Sequence, residues 1–446
     1  MNSHFDLIII GAGAGGYTAA ERAGAAGKRV LLIEKAQLGG VCINRGCIPA
    51  KTLYQSAKIY RQLQETDRFG VHVDSVRFDM REVIARKGRI VAQLRDGVRQ
   101  QIERRGGVIL EADARLIARK AVRAGDVTYT AERILIASGA SPVIPTLPGI
   151  DLAHVVTPTE LFDHDTLPSA LVILGGTPIA LNLAAIYTLA GSKVTLITEQ
   201  PGLLPDIDEE IRSLLLRDLN AIDFHFSAQV KSITEKYVRI TDDNRMHDIP
   251  ADLVLICGER APNVAGLGLE EAGIDYDTRI HVDEYMRTNL PGVYAIGDVT
   301  GISMWAHSAA RMAQVAVNHM FGTPDRFRID TVPFSLHTYP EIAAVGLTEA
   351  TAKARGIPVR VARLPLTANA SYLIENDQQR GLCKIVVDQR TNVVLGVHLY
   401  GGECSSLVVG AAAMLEDEFR VQDVQQMIFA HPTLSEVLRD TLYELR

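Results

Sequence analysis

The feature that most limits what this chain can become is a glycine cluster placed directly after a short apolar run. Phe5 to Ile10 reads as a strand, and Gly11-Ala12-Gly13-Ala14-Gly15-Gly16 follows it at once. Tyr17 to Ala26 then has helical character, Arg29 to Ile33 reads as a second strand, and Glu34 stands at its end. Strand, G-x-G-x-x-G, helix, strand and acid in that order make a βαβ unit suited to a dinucleotide. Gly11 permits the tight turn and Gly13 lets backbone approach a pyrophosphate. Gly16 lets helix pack on strand, and Glu34 is placed for a ribose hydroxyl. At 446 residues the chain has room for two to four such domains.

A second unit of the same kind begins at Leu171-Val172-Ile173-Leu174-Gly175-Gly176, with a helix over Ile179 to Leu189 and a strand over Lys193 to Ile197. Its fingerprint is altered. Thr177 stands where the middle glycine belongs, and its Cβ and methyl would occupy space that backbone needs beside a pyrophosphate. Ala180 in the third place is tolerated by the motif. Thr198 takes the place of the acid, with Glu199 adjacent, and no arginine cluster follows to favour NADP. Two readings stay open: a working NAD site that has drifted, or a site that binds NAD poorly or not at all.

Between the two units lies Gly39-Gly40-Val41-Cys42-Ile43-Asn44-Arg45-Gly46-Cys47-Ile48-Pro49-Ala50-Lys51. Cys42 and Cys47 have four residues between them, and Gly39, Gly40 and Gly46 supply the freedom for a small disulfide loop. Half of a zinc site would need a second ligand pair nearby, and none follows. A chain of this length has ample core without a covalent staple. A redox-active disulfide is the expectation. Pro49 suits the first turn of a following helix. Cys47 would then sit at that helix's N-terminus, where partial positive charge favours a thiolate, with Lys51 one turn on.

The net charge of −7 is spread without a basic run, which argues against nucleic acid and anionic membrane as partners. No apolar stretch reaches the roughly 18 residues of a membrane helix. Met1 to Asp6 carries no basic segment ahead of Ile8-Ile9-Ile10, so no signal peptide and a cytoplasmic location are expected. Cys257, Cys383 and Cys404 read as core thiols, and no metal site is expected.

The cysteine segment closely resembles the active-site segment of the flavin-dependent disulfide reductases, the class I pyridine nucleotide-disulfide oxidoreductases. The resemblance spans nearly the whole chain. It implies an α/β fold with two Rossmann-like doubly wound dinucleotide-binding domains and a C-terminal α+β dimerisation domain. The divisions expected are 1–147 (FAD), 148–265 (NAD-binding-like), 266–331 (central FAD segment) and 332–446 (dimerisation). Several segments carry it. Ile136 to Pro142, with Gly139, resembles the crossing out of the first FAD segment, and Gly258 to Asn263 resembles the return. Asp298, in Val293-Tyr294-Ala295-Ile296-Gly297-Asp298, matches the aspartate that accepts from the ribityl chain. Ala306, in Trp305-Ala306-His307, opens a helix near the isoalloxazine edge.

Tyr339 to Thr348 resembles the opening of the dimerisation domain, and Phe429 to Glu436 resembles the acid–base motif. His431 and Glu436 are five residues apart, a spacing that lets a carboxylate orient an imidazole. By resemblance this pair serves the partner subunit's disulfide in a homodimer. The family's nicotinamide gate aligns with Pro178, and the glutamate that family members pair with the flavin-proximal lysine aligns with Asn182, leaving Lys51 without that carboxylate. The version of the histidine motif containing Leu434 leans toward the dihydrolipoamide dehydrogenases. A protein-bound dihydrolipoyl group on a carrier is therefore the expected substrate, and Cys42, the more exposed sulfur, the expected point of attack. FAD is the expected cofactor. NAD is the expected acceptor, unless Thr177, Pro178, Asn182 and Thr198 have closed that route in favour of another protein.

Overall fold

The computed structural model describes residues 4–445, in three β-sheet units with their helices. The first unit is a seven-stranded sheet. Strand β1 (His4–Ile10) lies between β2 (Val30–Glu34) and β6 (Val127–Ile136), all parallel, with β3 (Val108–Glu111) beyond β2. Ile8 pairs with Leu31 on one side and Ile134 on the other. Both faces of these strands are covered, so Leu7 to Ile10, Val30 to Ile33 and Ile134 to Ile136 read as unbroken apolar runs rather than alternating ones. Two short strands continue the sheet as a meander: β5 (Ala121–Ala124) pairs antiparallel with β6, and β4 (Ala114–Ala118) antiparallel with β5. The late strand Val293–Ala295 returns to pair parallel with the end of β6.

The second unit has five parallel strands around Ala170–Leu174, which lies between Lys193–Ile197 and Leu253–Ile256, with a three-stranded antiparallel meander over 229–250. A two-stranded ribbon, Ala140–Pro142 against Arg260–Pro262, marks where the chain leaves the first unit and comes back. The third unit is a five-stranded antiparallel sheet over 334–400, packed on the helix Cys404–Glu416. The α/β class expected from the sequence is the observed one.

Four helices belong to the stretch that matters most. α1 (Ala14–Ala25) follows β1, and the one-turn α2 (Gly40–Arg45) and longer α3 (Cys47–Gln64) follow β2. α4 (Met80–Arg104) is capped by Asp79, whose carboxylate accepts from the amides of Arg81 and Glu82. α3 and α4 are the two long helices before residue 105. The small disulfide loop that the glycines of the segment 39–46 suggested is present. It is helical, and the helix breaks only at Gly46.

Ala50, Leu53, Tyr54 and Ala57 recur at helical spacing on α3 and are buried. They share one core with Leu181, Ala184 and Ala185 of the second unit's helix and with Leu336 and Ile342 of the third. Burying each of the larger side chains stabilises this junction by about 1.5–3 kcal/mol. The helix that starts at Cys47 is thereby wedged among all three units. That placement is what lets residues distant in sequence meet at the disulfide end.

Candidate active site

The first glycine loop is built as its spacing requires. Gly11 has φ +99, and a Cβ there would strike the carbonyl of Ala137; one on Gly16 would strike the carbonyl of Gly11. Gly13 is different, because a Cβ there would find only the Cα of Gly40, at 4.0 Å. Gly13 caps α1 without a side-chain bond, so no side chain of the cap takes up the first-turn amides of this helix. Glu34 grips the loop from below: its carboxylate accepts from the amide of Ala12 at 2.7 Å and that of Ala36 at 2.9 Å.

The cysteine segment leans directly on this loop. The Gly39 amide donates to the carbonyl of Ala12, and a Cβ on Gly40 would collide with the Cα of Gly13 at 2.5 Å. Gly40 is therefore needed for close approach of two backbones, a role that the sequence reading credited only to disulfide flexibility. Cys42 and Cys47 are joined as a disulfide across the Gly46 break, with Cα atoms 4.7 Å apart. Cys47 is the first residue of α3, as expected. Cys47 is exposed and Cys42 half-buried. Side chains in a helix lean back toward its N-terminus, so the first residue projects past the helix end with no preceding turn to cover it. The other three cysteines are buried, and burial pushes the Cys257 and Cys383 thiols up to about 12 and raises Cys404 as well. Only the pair at 42 and 47 is placed for redox chemistry.

Two further segments lie at the end of β6. Gly139 has φ +73 with open space around it, and its carbonyl accepts from the amide of Asn263 on the returning strand. Asp298 follows the strand Val293–Ala295 in a 3-10 turn. Burial raises its carboxyl above the ordinary value, partly offset by the charge of Arg260. Among the described residues no side chain donates to it. A half-buried carboxylate whose donor is its own backbone amide suits a ligand that brings hydroxyl groups. Ala306 begins the helix Ala306–Met320, whose cap, Trp305, makes no side-chain bond. Open glycine loop, gripping acid and donor-poor aspartate together fit FAD. His307 is a structural residue here, its Nε2 at 2.7 Å from the Pro333 carbonyl.

Lys51 is not isolated. Its Nζ lies 3.1 Å from Nδ1 of His337 and 3.9 Å from Oε1 of Glu341. Burial draws its pKa below the ordinary lysine value, against the opposing pull of Glu341. Asn182 does not touch Lys51; its Oδ1 accepts from the backbone amide of His337 at 3.0 Å. Neither His337 nor Glu341 was found from sequence, since both lie some 290 positions from Lys51 in a segment notable only for its dimerisation-domain likeness.

In the second unit Thr177 behaves otherwise than a simple obstruction. It is the N-cap of the helix Pro178–Ala190; its hydroxyl accepts from the amide of Ala180 at 3.2 Å and donates to the carbonyl of Cys257 at 3.0 Å. Pro178 brings no amide proton. Among the described residues, Ile179 alone of this first turn keeps an amide without a recorded partner. Thr198 is buried, its hydroxyl accepting from the amide of Gln200, and a Cβ on Gly176 would lie 2.7 Å from that hydroxyl. Gly175 has φ +140.

His431 Nδ1 lies 3.1 Å from Glu436 Oε2, and Arg439 reaches the other carboxylate oxygen at 3.4 Å. The Thr433 amide, first among several donors, holds the Glu436 carboxyl below its ordinary value. The His431 side chain is 73% exposed, and among the described residues the pair makes no bond to the segment 39–51 of its own chain. No described helix is long and apolar enough to cross a membrane.

The comparisons with known proteins agree with this geometry. A family model described as pyridine nucleotide-disulphide oxidoreductase matches residues 5–316, and one for the dimerisation domain of that family matches 332–442. The dihydrolipoyl dehydrogenase of Chlamydia muridarum is 33% identical over 452 residues, covering 98% of this chain and 96% of the relative. That of Bacillus subtilis is 32% identical over 447 residues, covering 98% and 97%. Among solved structures, LpdA from Mycobacterium tuberculosis superposes with a TM-score of 0.91 at 27% identity, covering 98% and 99%. RclA from Escherichia coli, described as an HOCl-induced flavoprotein disulfide reductase, superposes with a TM-score of 0.87 at 29% identity, covering 99% and 100%.

Proposed function

The chain belongs to the pyridine nucleotide-disulphide oxidoreductase family, and on that premise we propose that it oxidises a protein-bound dihydrolipoyl group through Cys42 and Cys47, with FAD as its flavin and NAD as acceptor. The observation that carries this reading is the disulfide at the head of α3, seated against a glycine loop whose amides are open. The domain divisions at 147, 265 and 331 are proposed with it, and so is a homodimer in the cytoplasm. The fully exposed Ile428 and the apolar groove of about 410 Å³ beside it, lined by Val409, Met427 and Phe429, suit a second copy of the chain.

The chemistry assigns each residue one task. Glu436 accepts from Nδ1 of His431, which leaves the lone pair on Nε2 to take a proton from the first lipoyl thiol of the partner's substrate. That thiolate attacks Cys42 Sγ; the Cys42–Cys47 bond breaks and Cys47 leaves as a thiolate. His431 gives its proton to Cys42 Sγ as the second lipoyl sulfur, its own proton passing to the vacated Nε2, attacks the mixed disulfide; the oxidised lipoyl ring departs from a Cys42 thiol. The helix end and Lys51 both favour the negative charge on Cys47. Gly11, Gly13, Gly16, Glu34, Gly139, Asp298 and Ala306 would hold FAD, which supplies the two-electron acceptor that returns the pair to a disulfide. Anaerobic addition of one equivalent of dihydrolipoamide to the FAD-loaded protein should produce long-wavelength absorbance, and Cys42→Ala or Cys47→Ala should abolish dithiol oxidation. A colourless protein, or oxidation untouched by either change, overturns the proposal.

One observation favours a second reading. The Thr177 hydroxyl already occupies the Ala180 amide that a pyrophosphate would use, and Thr198 replaces the ribose-binding acid. On that reading NAD binds weakly or not at all, and electrons leave to another protein. Mixing the dithiol-reduced protein with NAD separates the two, because only the first reading predicts rapid NADH formation.

A further inference from the structure

We propose that Glu341 and His337 are the positioning residues of Lys51, a carboxylate and an imidazole brought from the third unit to hold the ammonium that stands one turn from Cys47. The inference deepens the proposed function and rests on it in one respect only, that Lys51 bears on the redox centre.

Lys51 Nζ, His337 Nδ1 and Glu341 Oε1 form a triangle with sides of 3.1, 3.9 and 3.7 Å. His337 follows the strand Phe334–Leu336 and Glu341 precedes the strand Ile342–Gly346, so the tight connection between two strands presents both. The Glu341 side chain is only 3% exposed. A carboxylate that dry must be satisfied by donors, and they are present: the Ser405 hydroxyl at 2.6 Å and amide at 3.2 Å on Oε2, and the Tyr54 hydroxyl at 3.3 Å on Oε1. Burial works against its ionisation, and His337, Ser405 and the Lys51 charge outweigh burial, so its carboxyl sits at about 2. Glu341 is therefore a fixed negative charge, and Oε1 is the oxygen that faces Lys51.

Nδ1 of His337 lies between the Lys51 ammonium at 3.1 Å and Oε1 of Glu341 at 3.7 Å, placed to accept from the first or, when protonated, to donate to the second. Tyr54 stacks on the imidazole at 5.3 Å, and Asn182 holds the His337 backbone amide. The remaining charged or titratable neighbours are Lys58 on α3, Glu403 and Cys404 at the start of the last long helix, and Tyr339. Lys58 has its own partner in Glu403 at 2.9 Å, which leaves Glu341 to Lys51. Asn182, where an acid would have served, instead pins the segment that delivers the acid from elsewhere.

The test is competitive acetylation of lysines in the FAD-loaded protein across a pH series, read by mass spectrometry at Lys51, with the flavin absorbance followed in parallel. Glu341→Gln removes the charge that favours the ammonium, so labelling of Lys51 at neutral pH should rise roughly tenfold, the equivalent of one pKa unit. His337→Phe, which keeps a ring on Tyr54 but lacks Nδ1, should raise it less. Adding Asn182→Glu to Glu341→Gln should bring labelling back toward the native profile, which a merely structural loss would not permit. An unchanged Lys51 profile in both single variants overturns the assignment; if Glu341→Gln does not fold, His337→Phe decides. Labelling that shifts while the flavin spectrum stays still upholds the counter-charge and instead removes Lys51 from the redox centre.

Discussion

The two βαβ units share a topology and differ at a helix cap. In the first, Gly13 leaves the start of α1 bare, and Glu34 secures the loop from beneath through the amides of Ala12 and Ala36. In the second, Thr177 turns its hydroxyl onto the Ala180 amide, Pro178 removes another donor, and Thr198 is buried beside Gly176. An N-cap threonine stabilises a helix by about 1 kcal/mol relative to alanine. It does so by consuming the donor that an anion would otherwise find. The same backbone can thus serve as a phosphate cradle or as a well-capped structural helix, and a single side chain tips the balance.

The largest expected effect comes from moving the cap. Gly13→Thr meets nothing closer than Gly40 Cα, so the chain should fold, but its hydroxyl would take the Gly16 amide. Losing that charge-assisted bond, with a Cβ added where backbone approaches the phosphate, should weaken FAD at least about tenfold, seen as lower flavin absorbance of the purified variant. Flavin retention would break the comparison. The reverse change, Thr177→Gly, should improve NAD affinity about tenfold by freeing one such donor, and calorimetric titration with and without Asn182→Glu measures it. No gain in either variant would mean that the cap is not what separates the units.

Smaller effects sharpen the contrast. Thr198→Glu should not rescue NAD binding, because the side chain at 198 is buried; burying the carboxylate should cost about 1–3 kcal/mol in urea unfolding. Asp298 offers a pH test within the first unit. Its carboxyl is raised on folding, so the folded state pays a penalty that is present above the folded pKa and disappears as the pH falls below the unfolded value. Asp298→Asn should therefore stabilise the cofactor-free protein by about 1 kcal/mol at neutral pH, and progressively less on acidification, while FAD content drops. Thermal melts at several pH values check the sign. A destabilised apo variant at neutral pH would show that the carboxylate already has its partners.

Much of the centre was legible because its logic is local. Gly11, Gly13, Gly16 and Glu34 sit within one βαβ unit, Cys42 and Cys47 within one helix break, and His431 and Glu436 within one turn. Thr177 was visible as a departure, but not its form, since a clash and a cap put the same residue at the same place. Gly40 against Gly13 could have been suspected from two glycine runs close in sequence.

The sequence by itself determined the fold class, the cysteine pair and the order of the units, because apolar runs and glycine spacing act over a few residues at a time. Only the tertiary structure decided that Lys51 should face His337 and Glu341 rather than residue 182, and that one glycine loop should stay open while the other is capped. Those outcomes depend on α3 being wedged among three cores, and on which hydroxyl reaches which amide, neither of which local spacing encodes.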